Sequence, residues 1–250
     1  MSENALHENY RDLTTGRIGR KLIRFALPVI AANLLQALYS LVDMSIVGRY
    51  NLAPGMSAVN VGGSIIQIIL VIAMAMTNGG SVVVGQLLGA KRKEDATKAA
   101  GTVFSILFVI AIVLTAITLI FRVPLLRAMN TTEEAFAGAL AYLTICACGS
   151  IMVYIFNANS AILRAAGESV QPLIAVAVCT VINLVLDLLM VGQFGMGPAG
   201  AAYATIISQT VSAVLTTIFV KRLGLIEFKV GYFAIDKRFI KSMMKIALPS

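Results

Sequence analysis

The chain of 250 residues is 58% hydrophobic and only 13% charged, with a mean hydropathy of +0.87. Soluble domains carry about a quarter charged residues, so this composition excludes an ordinary soluble fold and indicates an integral membrane protein. The net charge of +8 does not describe a nucleic-acid surface, because Lys and Arg fall in short clusters between apolar stretches rather than along one face.

Residues 1–24 form a polar segment in which Glu3, Glu8 and Asp12 precede a basic stretch. The apolar run after it is too long for a signal-peptide core and lacks a small-residue cleavage pattern, so this N-terminal segment is expected to be retained and cytoplasmic. His7 is the only histidine and reads as a solvated tail residue. A membrane-crossing helix needs about 20 mostly apolar residues. Six stretches meet that need, at 25–48, 57–88, 99–121, 135–163, 172–194 and 199–220. Helices are required because hydrocarbon offers the backbone no other hydrogen-bond partner. The expected fold class is therefore an all-α integral membrane protein, a six-transmembrane-helix bundle.

The second stretch is ambiguous, since no charge lies between Arg49 and Lys91 and "TNGG" at 77–80 could divide it. Charge placement favours one span. With six spans and both ends inside, Arg11, Arg17, Arg20, Lys21, Arg24, "KRKEDATK", Arg164 and the cluster from Lys221 to Lys245 are cytoplasmic, and only Arg49, Arg122 and Arg127 are outside. That agrees with the positive-inside tendency, which a divided second stretch would reverse for several loops.

The end of the chain repeats its beginning. "FIKSMMKIALPS" from Phe239 matches "IGRKLIRFALPV" from Ile18 at an offset of about 221 residues. An even number of crossings returns the chain to its starting side, so a second copy would be a parallel repeat about an axis along the membrane normal. The expected organisation is residues 1–24 as the N-terminal segment, 25–222 as a six-helix lobe, and 223–250 as the connection to a second lobe, stopping at the start of a seventh helix.

Two acids lie well inside the apolar spans, Asp43 and Asp187, with no Lys or Arg at comparable depth. An ionised carboxylate there costs roughly 2.5–3.5 kcal/mol by insertion scales, so it marks a functional site by default. Asn33, Gln36, Ser40 and Asp43 fall at helical spacing on one stripe of the first span, and Thr180, Asn183 and Asp187 do so on the fifth. Asn60, Ser64 and Gln67 on the second, Asn157, Ser160 and Arg164 on the fourth, and Thr205, Ser208 and Ser212 on the sixth complete five narrow polar seams. Seams in lipid must face one another or water. Two carboxyl groups among amide and hydroxyl oxygens can meet the cost of burial by taking up a proton or by binding a small cation. The plainer alternative, strongest for Ser and Thr, is interhelical hydrogen bonding at about 0.6 kcal/mol each.

Other features point away from catalysis. Cys146, Cys148 and Cys179 sit in apolar segments as small packing residues, and with one histidine there is no zinc-ligand spacing. The glycine-rich "GQFGMGPAG" at 192–200 is not a phosphate loop, because no Gly-Lys-Ser/Thr follows. Pro28 removes a helical hydrogen bond early in the first span, where a kink is expected.

The segments "DLTTGRIGRKLIRFALP", "LYSLVDMSIVGR", "GQLLGAKRKEDA", "NANSAILRAAGES", "INLVLDLLMVG" and "GMGPAGAAYATIIS" together resemble the multidrug and toxic compound extrusion (MATE) transporters over nearly the whole chain. The resemblance implies a twelve-helix, cation-coupled exporter of two lobes in the plasma membrane, with the cation site in the N-terminal lobe. Carried over by motif, that site comprises Asp43, Asn183, Asp187 and Thr205, with Asn157 or Asn159 from the fourth helix. The implied partners are a small organic substrate, cationic or amphipathic, the lipid bilayer and a second six-helix lobe; the coupling ion is H+ or Na+, with no other cofactor and no nucleic acid. A lipid-linked oligosaccharide flippase and a non-transporting membrane scaffold are the alternatives. An enzyme is not expected, since no nucleophile-base pair or cofactor motif is visible.

Overall fold

The computed structural model describes residues 18–224 together with Phe239, Ile240 and Met243. Among the described residues six helices are long and apolar enough to cross a membrane: α1 (Gly19–Tyr50), α2 (Ala53–Gly89), α3 (Lys93–Ala128), α4 (Glu133–Ala165), α5 (Val170–Gln193) and α6 (Gly197–Leu223). The expected six-helix bundle is thus present, with α1, α3, α4 and α6 extending beyond their apolar stretches at both ends. Residues 1–17 and most of 223–250 lie outside the described residues, as does the greater part of the repeated entry segment.

Helical backbone runs from Ile18 to Gly89 with Pro28 and Pro54 inside it, each of which removes one backbone hydrogen bond. A straight helix of that length would measure about 108 Å and would hold positions 43 and 67 about 36 Å apart. Asp43 and Gln67 nevertheless border one cavity, and a Cβ at Gly48 would lie 3.0 Å from Met56 Sδ. The backbone therefore doubles back between Tyr50 and Ala53, and α1 and α2 are separate spans.

The "TNGG" stretch stays inside α2. A Cβ at Gly80 would come 2.3 Å from Val103 Cγ2, so the missing side chain lets α3 pack directly on α2. Gly80→Val is expected to cost about 1–3 kcal/mol by overpacking, read as a lower thermal midpoint of the purified protein.

The helix ends follow their charges. Glu94 and Asp95 occupy the first turn of α3, where the positive end of the helix dipole favours them, and Lys98 and Arg92 bridge to them at 2.8 and 2.7 Å. Lys221 and Arg222 fill the last turn of α6, which ends at Gly224 in a left-handed conformation. Val83, Val103, Leu107, Ile162, Leu163 and Val220 join α2, α3, α4 and α6 in the largest core cluster. Phe239 and Met243, from the repeated segment, pack against that same cluster, with Met243 only 2% exposed.

Candidate cation site

The polar seams converge. An open cavity of about 570 Å³ is bordered by Asn33, Gln36, Ser40 and Asp43 of α1, Asn60, Ser64 and Gln67 of α2, Asn157 of α4 and Thr205 of α6. Helical spacing puts each set on one stripe, and packing turns the stripes toward one another. Thr180 borders a smaller cavity beside Gln36, Tyr39 and Gln209.

At the end of this cavity the two membrane acids meet. Asp43 and Asp187 lie within hydrogen-bonding reach of each other. Asp43 is 8% exposed and borders the cavity, whereas Asp187 is 0% exposed and is absent from the cavity wall. One oxygen of each carboxyl group, Oδ1, is buried without a hydrogen-bond donor. Leaving such an atom unsatisfied costs about 1–3 kcal/mol, and more when charged.

Asn183 and Thr205 frame the pair. With its amide oriented to satisfy both neighbours, Asn183 Nδ2 donates to Asp187 Oδ2 at 2.8 Å and its side-chain oxygen accepts from the Thr205 N–H at 3.3 Å. Thr205 Oγ1 in turn shares a 3.2 Å hydrogen bond with the Tyr39 hydroxyl. Immediately after Asp187 the helix widens into a π-turn over Leu188–Gln193, a departure from regular helix that is frequent at functional sites.

The two fourth-helix asparagines separate. Asn157 borders the cavity, its amide donating to Val153 O at 2.8 Å. Asn159 points the other way, is 1% exposed, and donates to Thr217 Oγ1 at 2.8 Å and Thr216 Oγ1 at 3.3 Å, tying α4 to α6. Asn159→Ala is expected to cost about 0.6–1.7 kcal/mol of stability, the range of hydrogen bonds within membrane bundles. Asn157→Ala should stay within about 0.5 kcal/mol of wild type; thermal unfolding in detergent distinguishes the two.

The sixth-helix stripe also divides. Thr205 joins the acids, whereas Ser212 Oγ donates to Ala175 O at 2.9 Å, binding α6 to α5, and Ser208 Oγ bonds back to Thr205 O at 2.9 Å. Three cavity residues carry weak sequence signals. Tyr39 lies one turn before Asp43 and Gln209 one turn after Thr205, each legible by i, i+4 spacing, while Tyr142 on α4 begins a wall stripe with Cys146 and Ser150 that leads to Asn157.

A six-helix membrane bundle whose polar seams enclose a buried carboxyl pair carries its functional groups inside the membrane. The MatE family model matches residues 28–189, and the chain belongs to that family. It is 28% identical over 93% of its length to the probable multidrug resistance protein YoeA of Bacillus subtilis, covering 52% of that protein. It is 34% identical over 82% of its length to the probable multidrug resistance protein NorM of Thermotoga maritima, covering 45%. A MOP superfamily transporter from Pyrococcus furiosus superimposes with a TM-score of 0.83 at 26% identity, over 91% of this chain and 50% of that one. The chain spans about half the length of the curated relatives it matches.

Proposed function

We propose that this chain is the N-terminal lobe of a cation-coupled antiporter that exports small organic compounds, cationic or amphipathic, across the plasma membrane, with its N-terminus in the cytoplasm. The observation that carries the reading is the Asp43–Asp187 contact, in which each carboxyl group keeps one buried oxygen without a donor. Two bare carboxylates repel at that distance; a proton or cation between them removes the repulsion and satisfies the empty oxygens.

The donor set suits either ion. Asp43 and Asp187 supply oxygens to a hard cation such as Na+, with the Asn183 amide and the Thr205 hydroxyl beside them, and the carboxyl pair alone holds a proton. Asn183 and Tyr39 fix the positions of Asp187 and Thr205, and Asp43 faces the space a substrate enters. Such an ion drives export only if it binds one conformation of the lobe more tightly than the other. The flippase alternative calls for basic side chains facing a phosphate-bearing head group, and the described cavity wall contains no Lys or Arg.

The test uses the full-length protein in proteoliposomes loaded with a fluorescent organic cation, with H+ and Na+ gradients imposed separately. Release is expected to follow one of the two gradients. Release indifferent to both would overturn the reading.

A further inference from the structure

Asp43 and Asp187 touch, yet their surroundings differ. Asp43 opens on the polar cavity; Asp187 is fully buried behind it. One helical turn further toward the α1–α2 turn, Ile46, Val47, Val191, Ala201 and Ala202 form the part of a buried cluster that lies off the cavity wall, its remaining members Val59, Tyr142 and Cys146 bordering the cavity, with Val47 0% and Val191 1% exposed. Beyond it the Tyr50 ring sits on Gly192, where a Cβ would meet Tyr50 Cζ at 3.2 Å and push the ring outward by a few tenths of an ångström. Both Val191 and Gly192 belong to the π-turn that follows Asp187, and this turn packs against both α1 and α6. The extra backbone of a π-turn is what brings these positions onto their neighbours.

From this arrangement we propose that Asp187 exchanges its cation only through the polar cavity, by way of Asp43, and that the Val47–Val191 cluster with the Tyr50–Gly192 contact seals the opposite route. The inference deepens the cation-coupled reading and rests on it. A small cation passing between Val47, Val191, Ala201 and Ala202 would lose its hydration against aliphatic side chains that offer no oxygen. Passing from one carboxyl group to the other needs no such step, because the two are already within hydrogen-bonding reach. The acids therefore act in series: Asp43 is the port and Asp187 the inner store, held by Asn183.

Access is measured on the full-length protein by modifying carboxyl groups with a hydrophilic carbodiimide and glycine ethyl ester, with site-resolved peptide mass spectrometry. A bulky maleimide on Ser40→Cys, one turn before Asp43 on the cavity wall, blocks the proposed entry; maleimide-treated wild type accounts for the native cysteines. The block is expected to slow modification of Asp43 and Asp187 alike by roughly tenfold or more, one decade of rate. Adding Val47→Ala together with Tyr50→Ala to the blocked protein opens both parts of the seal and should restore modification of Asp187 alone. Gln36→Cys and Val191→Ala with Tyr50→Ala repeat the two arms with different side chains. Asp187 modified at its full rate behind the block would overturn the cavity route, and no restoration on opening the seal would overturn the seal. Labelling reports access alone, so its outcome is separate from whether a gradient drives export.

Discussion

Asp187→Asn is expected to abolish gradient-driven export while leaving the protein folded in the membrane. The Asn side chain has the same shape and still accepts from Asn183 Nδ2, the 2.8 Å bond that holds Asp187 in place. It cannot bind an exchangeable proton and is a far weaker cation ligand. Asp43 then faces a neutral amide, and the cation loses its preference for one conformation over the other. Coupling free energies of about 1–3 kcal/mol correspond to about 5–150-fold in affinity, so gradient-stimulated efflux should fall by one to two decades. Gradient-independent substrate binding should be nearly unchanged. Proteoliposome efflux with and without the gradient measures this, and coupled efflux equal to wild type would remove Asp187 from the mechanism.

The second large effect is on stability. A folded state that binds a cation is stabilised by mass action, by RT ln(1 + [L]/Kd), or about 1.4 kcal/mol for each tenfold rise beyond Kd. Near 2–4 °C per kcal/mol for a domain of this size, the thermal midpoint of the wild-type protein should climb by several degrees per decade of the coupling ion. A Na+ titration at constant pH and ionic strength shows whether that ion is Na+. In Asp43→Asn/Asp187→Asn the midpoint should be flat with ion and higher than wild type at the lowest ion concentration. The reason is that breaking the compensation of a buried charge is costly, and replacing the charges with neutral groups removes that cost. A wild-type midpoint indifferent to both Na+ and H+ would show that the pair binds neither.

Much of the framework was legible in residue order because membrane physics leaves few choices. Runs such as 99–121 and 172–194 have to be helices, since lipid gives an unpaired backbone no partner. The two acids stood out because hydrocarbon penalises them, and the stripes leading to Asp43 and from Thr180 to Asp187 followed from helical spacing. Other features resisted. Asn157 and Asn159 are two residues apart, about 200° around a helix, so either could face the site until the neighbours of α4 were known. Ser208 and Ser212 share a stripe with Thr205, yet they meet α5 backbone and side chains rather than the cavity. Nothing in "LLMVGQ" announces a π-turn, whose extra backbone depends on what Tyr50 and α6 press against it.

The amino-acid sequence by itself determined that residues 25–222 make six membrane helices with two acids that require a partner, because helix spacing and the cost of burying charge act locally and leave a pattern along the chain. Only the tertiary structure decided that Asp43 and Asp187 come within hydrogen-bonding reach, that Asp43 borders the cavity while Asp187 is fully buried off its wall, and that Asn157 rather than Asn159 borders the same space. Those facts depend on how each helix is rotated against its neighbours. That rotation is set by side-chain packing summed over the whole bundle, such as Gly80 against Val103 and Gly192 beneath Tyr50, and no single segment contains it.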